Sequence, residues 1–227
     1  MIQPRLVEVR EKVLKRNDLL ARELRGRFCE AGVYVVSLVS SPGSGKTAFL
    51  EKTLTLLKPK ARVAALVGDL ATDNDAVRLA RSMAPVRQIT TGTICHLDAE
   101  MIARALEGWD LRDIDLLFIE NVGNLVCPSG YDLGESLRAV LMSVTEGEDK
   151  PLKYPTIFNT ADIAVITKTD LADAVEFDWE AVQRNIHSVR PGMEVIAVSS
   201  KTGNGFQCWI ELLIKRRAPE TAVHKYL

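Results

Sequence analysis

The chain has 227 residues, 47% hydrophobic and 26% charged, a composition typical of a soluble globular protein long enough to bury a substantial core. Its 29 Lys and Arg against 30 Asp and Glu remove any overall electrostatic case for a nucleic-acid or membrane-surface partner. No apolar run approaches the roughly 20 residues of a membrane span, the start M-I-Q-P-R-L-V-E-V-R lacks a secretory apolar core, and four cysteines are too few for a disulfide framework. A cytosolic protein is expected, with its thiols free or ligating metal.

No repeat, low-complexity tract or linker divides the sequence, so a single domain over residues 1–227 is expected, opened by a helix at about 5–28. There Leu6, Val9, Val13, Leu20 and Leu24 fall close to one face, with charged residues between them. The period then changes. Val33 to Val39 is an almost unbroken β-branched run, as in a strand buried on both faces of a parallel sheet. It leads into S-S-P-G-S-G-K-T-A-F-L, a glycine-rich turn followed by a helix, which is the P-loop context. Backbone N–H groups around Gly43, Ser44 and Gly45 can cradle phosphate, Lys46 can reach the β and γ phosphates, and the Thr47 hydroxyl can bind Mg²⁺, with Ala48 completing the nucleotide-binding turn. Ser40 stands where the G-x-x-x-x-G-K-[ST] pattern has its first glycine. Ser41 stands where the partitioning-ATPase branch carries an extra lysine, which argues against that branch.

A second strand, Val63 to Val67, runs into G-D-L-A-T-D-N-D-A-V-R, placing Asp69, Asp73 and Asp75 near the phosphate end of the sheet. Carboxylates there can hold Mg²⁺ or orient the attacking water, although any one of them, Asp75 above all, can instead cap a helix. Val86 to Ile89 is a weaker strand candidate, followed by T-G-T-I-C-H-L-D-A-E-M, in which Cys95 and His96 are adjacent. The run Ile114 to Ile119 leads into E-N-V-G-N-L-V-C-P. Glu120 can reach the metal or the water, the Gly123 backbone can meet the γ phosphate, and Cys127 lies just downstream. If Cys95, His96 and Cys127 converge above the sheet, two thiolates and an imidazole suit Zn²⁺ and can bind Ni²⁺. Three ligands leave room for water, another side chain or a second subunit, as a metal that must later be released requires.

Leu137 to Val144 reads as strand or helix, and T-E-G-E-D-K-P-L-K-Y-P-T after it as a surface loop. Ile163 to Ile166 is a buried strand ending in T-K-T-D-L. Asp170 can accept hydrogen bonds from guanine N1 and N2 while the Lys168 stem packs on the ring, as in the N-K-x-D pattern of GTPases, with Thr167 in place of Asn. Val195 to Val198 precedes S-S-K-T-G, where Ser200 and Lys201 approach the guanine edge. Cys29 and Cys208, in helical patterns, read as packing residues, and His187 and His224 as surface residues. Strands alternating with helices predict an α/β P-loop NTPase with a mainly parallel sheet.

From S-S-P-G-S-G-K-T through T-G-T-I-C-H-L-D-A and E-N-V-G-N-L-V-C-P to S-S-K-T-G, nearly the whole chain resembles the HypB family, GTPases that assist nickel insertion into [NiFe] hydrogenase. The resemblance implies a SIMIBI-class GTPase that turns GTP into GDP and phosphate and dimerises in response to GTP. It further implies a metal site of Cys95, His96 and Cys127 near the dimer interface. The implied partners are a HypA-type nickel accessory protein and, through the maturation complex, the hydrogenase large-subunit precursor. The Cys-rich N-terminal motif and the His-rich tract of some relatives are absent. Three alternatives stand beside this reading. One is a urease-accessory nickel GTPase, for which a Cys-Pro-His arrangement would be expected. The others are a metal-binding dimer scaffold with little turnover and a small-molecule P-loop kinase, against which T-K-T-D-L argues.

Overall fold

The computed structural model describes residues 4–70 and 74–222, with side chains over 12–70 and 74–217. The elements follow in chain order as α1 (Pro4–Ala31), β1 (Tyr34–Ser40), α2 (Lys46–Leu57), β2 (Val63–Asp69), α3 (Asn74–Ala80), β3 (Val86–Thr90) and α4 (Ala99–Ala105). After these come β4 (Leu116–Glu120), β5 (Leu137–Ser143), α5 (Lys150–Lys153), α6 (Pro155–Thr160), β6 (Ile163–Thr167), α7 (Trp179–Val189), β7 (Glu194–Ala197) and α8 (Phe206–Ala222).

Among the described residues, seven strands form one parallel sheet in the order β3-β2-β4-β1-β5-β6-β7. β1, β4, β5 and β6 are buried along their whole length. Their β-branched, alternating side chains feed cores on opposite faces, as a sheet covered on both sides requires. Val36 and Leu38 pack with Phe49, Leu50 and Leu54 of α2 and with Trp209 and Leu213 of α8. Val35, on the other face, joins Leu24 and Phe28 of α1 and Ile102 of α4, and Val39 joins Phe158 and Ile186 further along. α2, which starts at the glycine turn, is clamped by Phe49 against Phe206 and Trp209, ring centroids 5.4 and 5.2 Å apart. The buried Trp209 indole donates to Thr53 Oγ1 at 3.1 Å. The helix that carries Lys46 and Thr47 is thereby fixed to the scaffold.

Several expectations change. Of Leu137 to Val144, ambiguous by period, Leu137–Ser143 is a strand because it pairs with β1 and β6 on its two sides, and Val144 opens a 3-10 turn. The stretch 145–156 is not a loop: it holds α5 and the start of α6, with Pro151 and Pro155 in their first turns, where the missing N–H costs nothing. Cys29 and Cys208 are exposed rather than packed, because α1 and α8 turn other faces to the sheet. Val13 is also exposed; α1 buries Leu24 as expected, together with Asn17, Ala21 and Phe28. The side chains of Leu6 and Val9, the residue Asp73, and His224 lie outside the described residues. No described helix is long and apolar enough to cross a membrane.

Candidate functional site

In parallel α/β sheets, ligands bind at the carboxyl ends of the strands, and the sequence-derived candidates collect there. Gly45 is left-handed, with φ 89° and ψ 17°, so that α2 starts abruptly at Lys46. The turn borders a cavity of about 420 Å³, lined by residues 42–48 together with Asp69, Asp75, Arg78, Val122 and Gly123. At the position of the pattern's first glycine, the Ser40 hydroxyl is buried, donates to Ser41 O at 2.9 Å and accepts from Ser44 Oγ at 2.6 Å. The departure is absorbed within the loop. The Ser41 hydroxyl donates to Glu146.

Glu120, at the end of β4 beside β1, lies beneath the P-loop and is 1% exposed. Its Oε1 accepts from Thr47 Oγ1 at 2.7 Å and stands 3.2 Å from Lys46 Nζ, while Oε2 is buried with no hydrogen-bond partner among the described residues. Burial drives its pKa up, against the pull of Lys46 and Thr47, and the charge of Asp75 adds to the rise. A buried carboxylate with one oxygen uncommitted, beside a threonine hydroxyl and two further carboxylates at the cavity, fits a hard divalent cation such as Mg²⁺. Asp75 sits in the first turn of α3, after Asn74, and is not its cap.

The T-K-T-D segment is tied to the same turn. Thr167 Oγ1 lies 2.5 Å from Ser44 O and 3.2 Å from Met142 O, and Lys168, left-handed at φ 56°, donates from Nζ to Gly43 O at 2.7 Å. Asp170 is exposed and accepts from Ser199 Oγ at 2.6 Å, a bond that holds its carboxyl below the usual range. Ser200 and Lys201 follow in the adjoining turn, outside the lining of the phosphate cavity. Ser199 escaped the sequence reading although its neighbour did not. The doubled serine was the available signal, and only strand geometry tells which of the two faces Asp170.

Cys95, His96 and Cys127 converge: their candidate ligand atoms all lie within 4.8 Å of one another, and the two Sγ atoms are 2.7 Å apart. The thiol–thiol hydrogen bond is the largest influence raising the Cys95 pKa, with burial adding to it, and burial lowers that of His96. The His96 ring lies against Tyr131, centroids 3.9 Å apart, and its Nδ1 is buried without a hydrogen-bond partner among the described residues. Soft thiolates and an imidazole with an uncommitted nitrogen form a donor set for Zn²⁺ or Ni²⁺.

One segment joins the two sites. Val122 and Gly123 line the phosphate cavity, and a Cβ on Gly123 would come within 3.1 Å of the Pro42 backbone. The Asn121 Oδ1 atom accepts from Leu97 N at 3.0 Å, next to His96, and from Val122 N at 2.9 Å. Asn124 Oδ1 accepts from Val126 N at 2.8 Å and Cys127 N at 3.4 Å. Asn121, Asn124 and Tyr131 were missed by the sequence reading, because nothing in their spacing marks a side chain that bridges two loops.

A parallel sheet with a glycine turn at the end of its central strand, a Lys-Thr pair and carboxylates on neighbouring strand ends define a P-loop nucleotide-binding protein. The family described as CobW/HypB/UreG, nucleotide-binding domain, matches residues 34–197. Hydrogenase maturation factor HypB of Azotobacter chroococcum is 46% identical over 95% of this chain and 70% of its own length. Hydrogenase/urease maturation factor HypB of Helicobacter pylori is 41% identical over 97% and 92%. The crystal structure of HypB from Helicobacter pylori in complex with nickel superposes with a TM-score of 0.84 at 39% identity, over 90% of this chain and 96% of that one. The signal recognition particle 54 kDa protein of Aeropyrum pernix, 17% identical with a TM-score of 0.55, covers 73% of this chain and 41% of that one and shares the fold alone. The chain belongs to the HypB family of hydrogenase maturation factors.

Proposed function

We propose that the protein hydrolyses GTP to GDP and phosphate and uses the nucleotide state to control nickel held by Cys95, His96 and Cys127, in the service of [NiFe] hydrogenase maturation. The observation that carries this reading is the segment 121–127, which borders the phosphate cavity at one end and supplies a thiol to the metal cluster at the other. The names of the relatives support the maturation role, and the nickel complex of the Helicobacter pylori protein supports nickel as the cargo. Gly43, Ser44, Gly45 and Ala48 bind the phosphates through the backbone, and Lys46 draws charge from the terminal ones. Mg²⁺, when bound, neutralises charge on the β and γ phosphates, with Thr47, Asp69, Asp75 and Glu120 as the residues to hold it. Asp75 and Glu120 orient the attacking water. Lys168, Asp170, Ser200 and Lys201 bind guanine. GTP-dependent homodimerisation, a HypA-type accessory partner, the hydrogenase large-subunit precursor and a cytosolic setting complete the proposal.

Guanine turnover and metal titration test it together. Lys46→Ala is expected to abolish turnover and leave the metal isotherm of the nucleotide-free protein unchanged. Equal binding of ATP and GTP, or full turnover in Lys46→Ala, would overturn the GTPase assignment. Metal binding without any turnover in the unmodified protein would favour the dimer scaffold.

A further inference from the structure

We propose that Arg78 is a second phosphate-binding cation of the nucleotide site, parked on Glu51 and transferred to the γ-phosphoryl group when GTP is bound. The inference deepens the GTP-hydrolysing reading and rests on it. α3 carries Asp75 in its first turn and Arg78 three residues on, so the two share a helix face, and both line the cavity that the glycine turn borders.

The cavity is short of positive charge for a triphosphate. Among the described residues lining it, Lys46 and Arg78 are the cations, and Lys46 already stands 3.2 Å from Glu120. Lys168 lies outside the lining, with its Nζ on Gly43 O. Arg78 is held by one edge: its Nε donates to Glu51 Oε2 at 2.7 Å, and Glu51 is its one recorded partner among the described residues. Neither Nη group has a hydrogen-bond partner among the described residues.

Glu51 follows the phosphate-binding turn on α2, so its carboxylate keeps the guanidinium close to the site while the cavity is empty. The Arg78 side chain is 44% exposed, and an ion pair so exposed is weak. A phosphate that can take two parallel N–H bonds from a planar guanidinium is the stronger partner. In hydrolysis, the water oxygen bonds to the γ phosphorus and the bond to the β–γ bridging oxygen breaks with its electron pair staying on GDP. The water's protons leave with the phosphate product. Charge spread over the γ oxygens in that transition state is what a second cation stabilises.

A purely architectural role, with the pair bolting α3 to α2, makes a different prediction, because it treats Arg78 and Glu51 alike. Arg78→Ala, Arg78→Lys and Glu51→Ala are compared for kcat, KM and equilibrium binding of fluorescent GDP and a non-hydrolysable GTP analogue. Arg78→Ala is expected to lower kcat by about tenfold or more, less than the roughly 10³–10⁵ that a fully engaged arginine finger supplies, with GDP affinity preserved. Arg78→Lys should restore little of this, since an ammonium cannot make the paired contact. Glu51→Ala, which frees the guanidinium, should keep or raise the unmodified kcat. Equal losses in Arg78→Ala and Glu51→Ala, or unchanged kcat in Arg78→Ala, would overturn the proposal. If the unmodified protein shows no turnover, the GTPase reading fails. The binding comparison then decides Arg78 alone: an unchanged ratio of GTP-analogue to GDP affinity in Arg78→Ala would rule it out.

Discussion

Thr167 shows how a side chain can depart from a motif and keep its contact. In place of Asn, its hydroxyl reaches the Ser44 carbonyl of the glycine turn at 2.5 Å, so the T-K-T-D segment and the P-loop are tied. Three residues on, Asp170 uses one carboxylate oxygen for Ser199, which orients it and holds its carboxyl below the usual carboxylate range. In Asp170→Asn the paired acceptor for guanine N1 and N2 is lost. GTP affinity should fall by about tenfold or more, the scale of a hydrogen bond to a charged group. Xanthine nucleotide, with a carbonyl at C2, should gain, and competition titration with the two nucleotides measures both changes. Preserved GTP preference in that variant would place guanine recognition elsewhere.

At the scale of elements, the segment between β4 and β5 borders the phosphate-side cavity and carries Cys127, which is the basis of the proposed coupling. A γ phosphate that engaged Gly123 would move a chain whose Asn121 is bonded beside His96 and whose Asn124 holds the Cys127 amide. Metal affinity should therefore differ between the GDP and GTP-analogue states by about 1–3 kcal/mol, the usual range for two linked sites. Asn121→Ala should shrink that difference while leaving the three ligands in place, and Cys127→Ala should remove it together with much of the affinity. Identical isotherms in the two nucleotide states of the unmodified protein would show that no coupling exists.

The opposite end of the sheet carries a pH-dependent clasp. Burial raises the pKa of Asp115, yet hydrogen bonds from Arg62 before β2 and the charge of Arg217 on α8 outweigh it and hold the carboxyl below its ordinary value. A folded-state pKa below the unfolded one means that the fold favours the ionised form. This contribution is complete above the unfolded value, near 3.9, and is lost as pH falls through the lower folded value. Asp115→Asn should lower thermal stability at neutral pH and flatten the acid limb of the stability profile. Melting curves from pH 2 to 7 check it, and parallel profiles for the two proteins would refute it.

For the whole molecule, the carboxyl face of the sheet combines both sites with exposed apolar side chains. Val126 (64% exposed) and Ile94 (41%) flank the thiols, and Leu70 (42%) borders the phosphate cavity. Such a rim suits a face that a second copy covers when GTP is bound. Val126→Asp, which puts a charge beside Cys127, should keep the nucleotide-bound protein monomeric at concentrations where the unmodified chain dimerises with a GTP analogue. Sedimentation velocity reads this directly. Dimerisation of Val126→Asp like that of the unmodified chain would exclude this rim.

What the sequence by itself determined was local in origin. Apolar β-branched runs become doubly buried strands, a glycine turn before Lys46 opens a helix, and T-K-T-D-L ends a buried strand, because backbone preference and side-chain period act over a few residues. Tertiary structure decided what depends on strand order. With β4 lying between β2 and β1, Glu120 comes under Lys46 and Cys127 comes to 2.7 Å from Cys95, two residues 32 positions apart in sequence. The same holds for Leu137–Ser143, made a strand by its neighbours, for Ser199 rather than Ser200 on Asp170, and for Arg78 at the cavity. Cys29 and Cys208 turned outward because the faces of α1 and α8 that meet the sheet are chosen by packing of the whole helix. Periodicity can rank faces, but a side chain's partner across the sheet edge exists only once distant strands have paired.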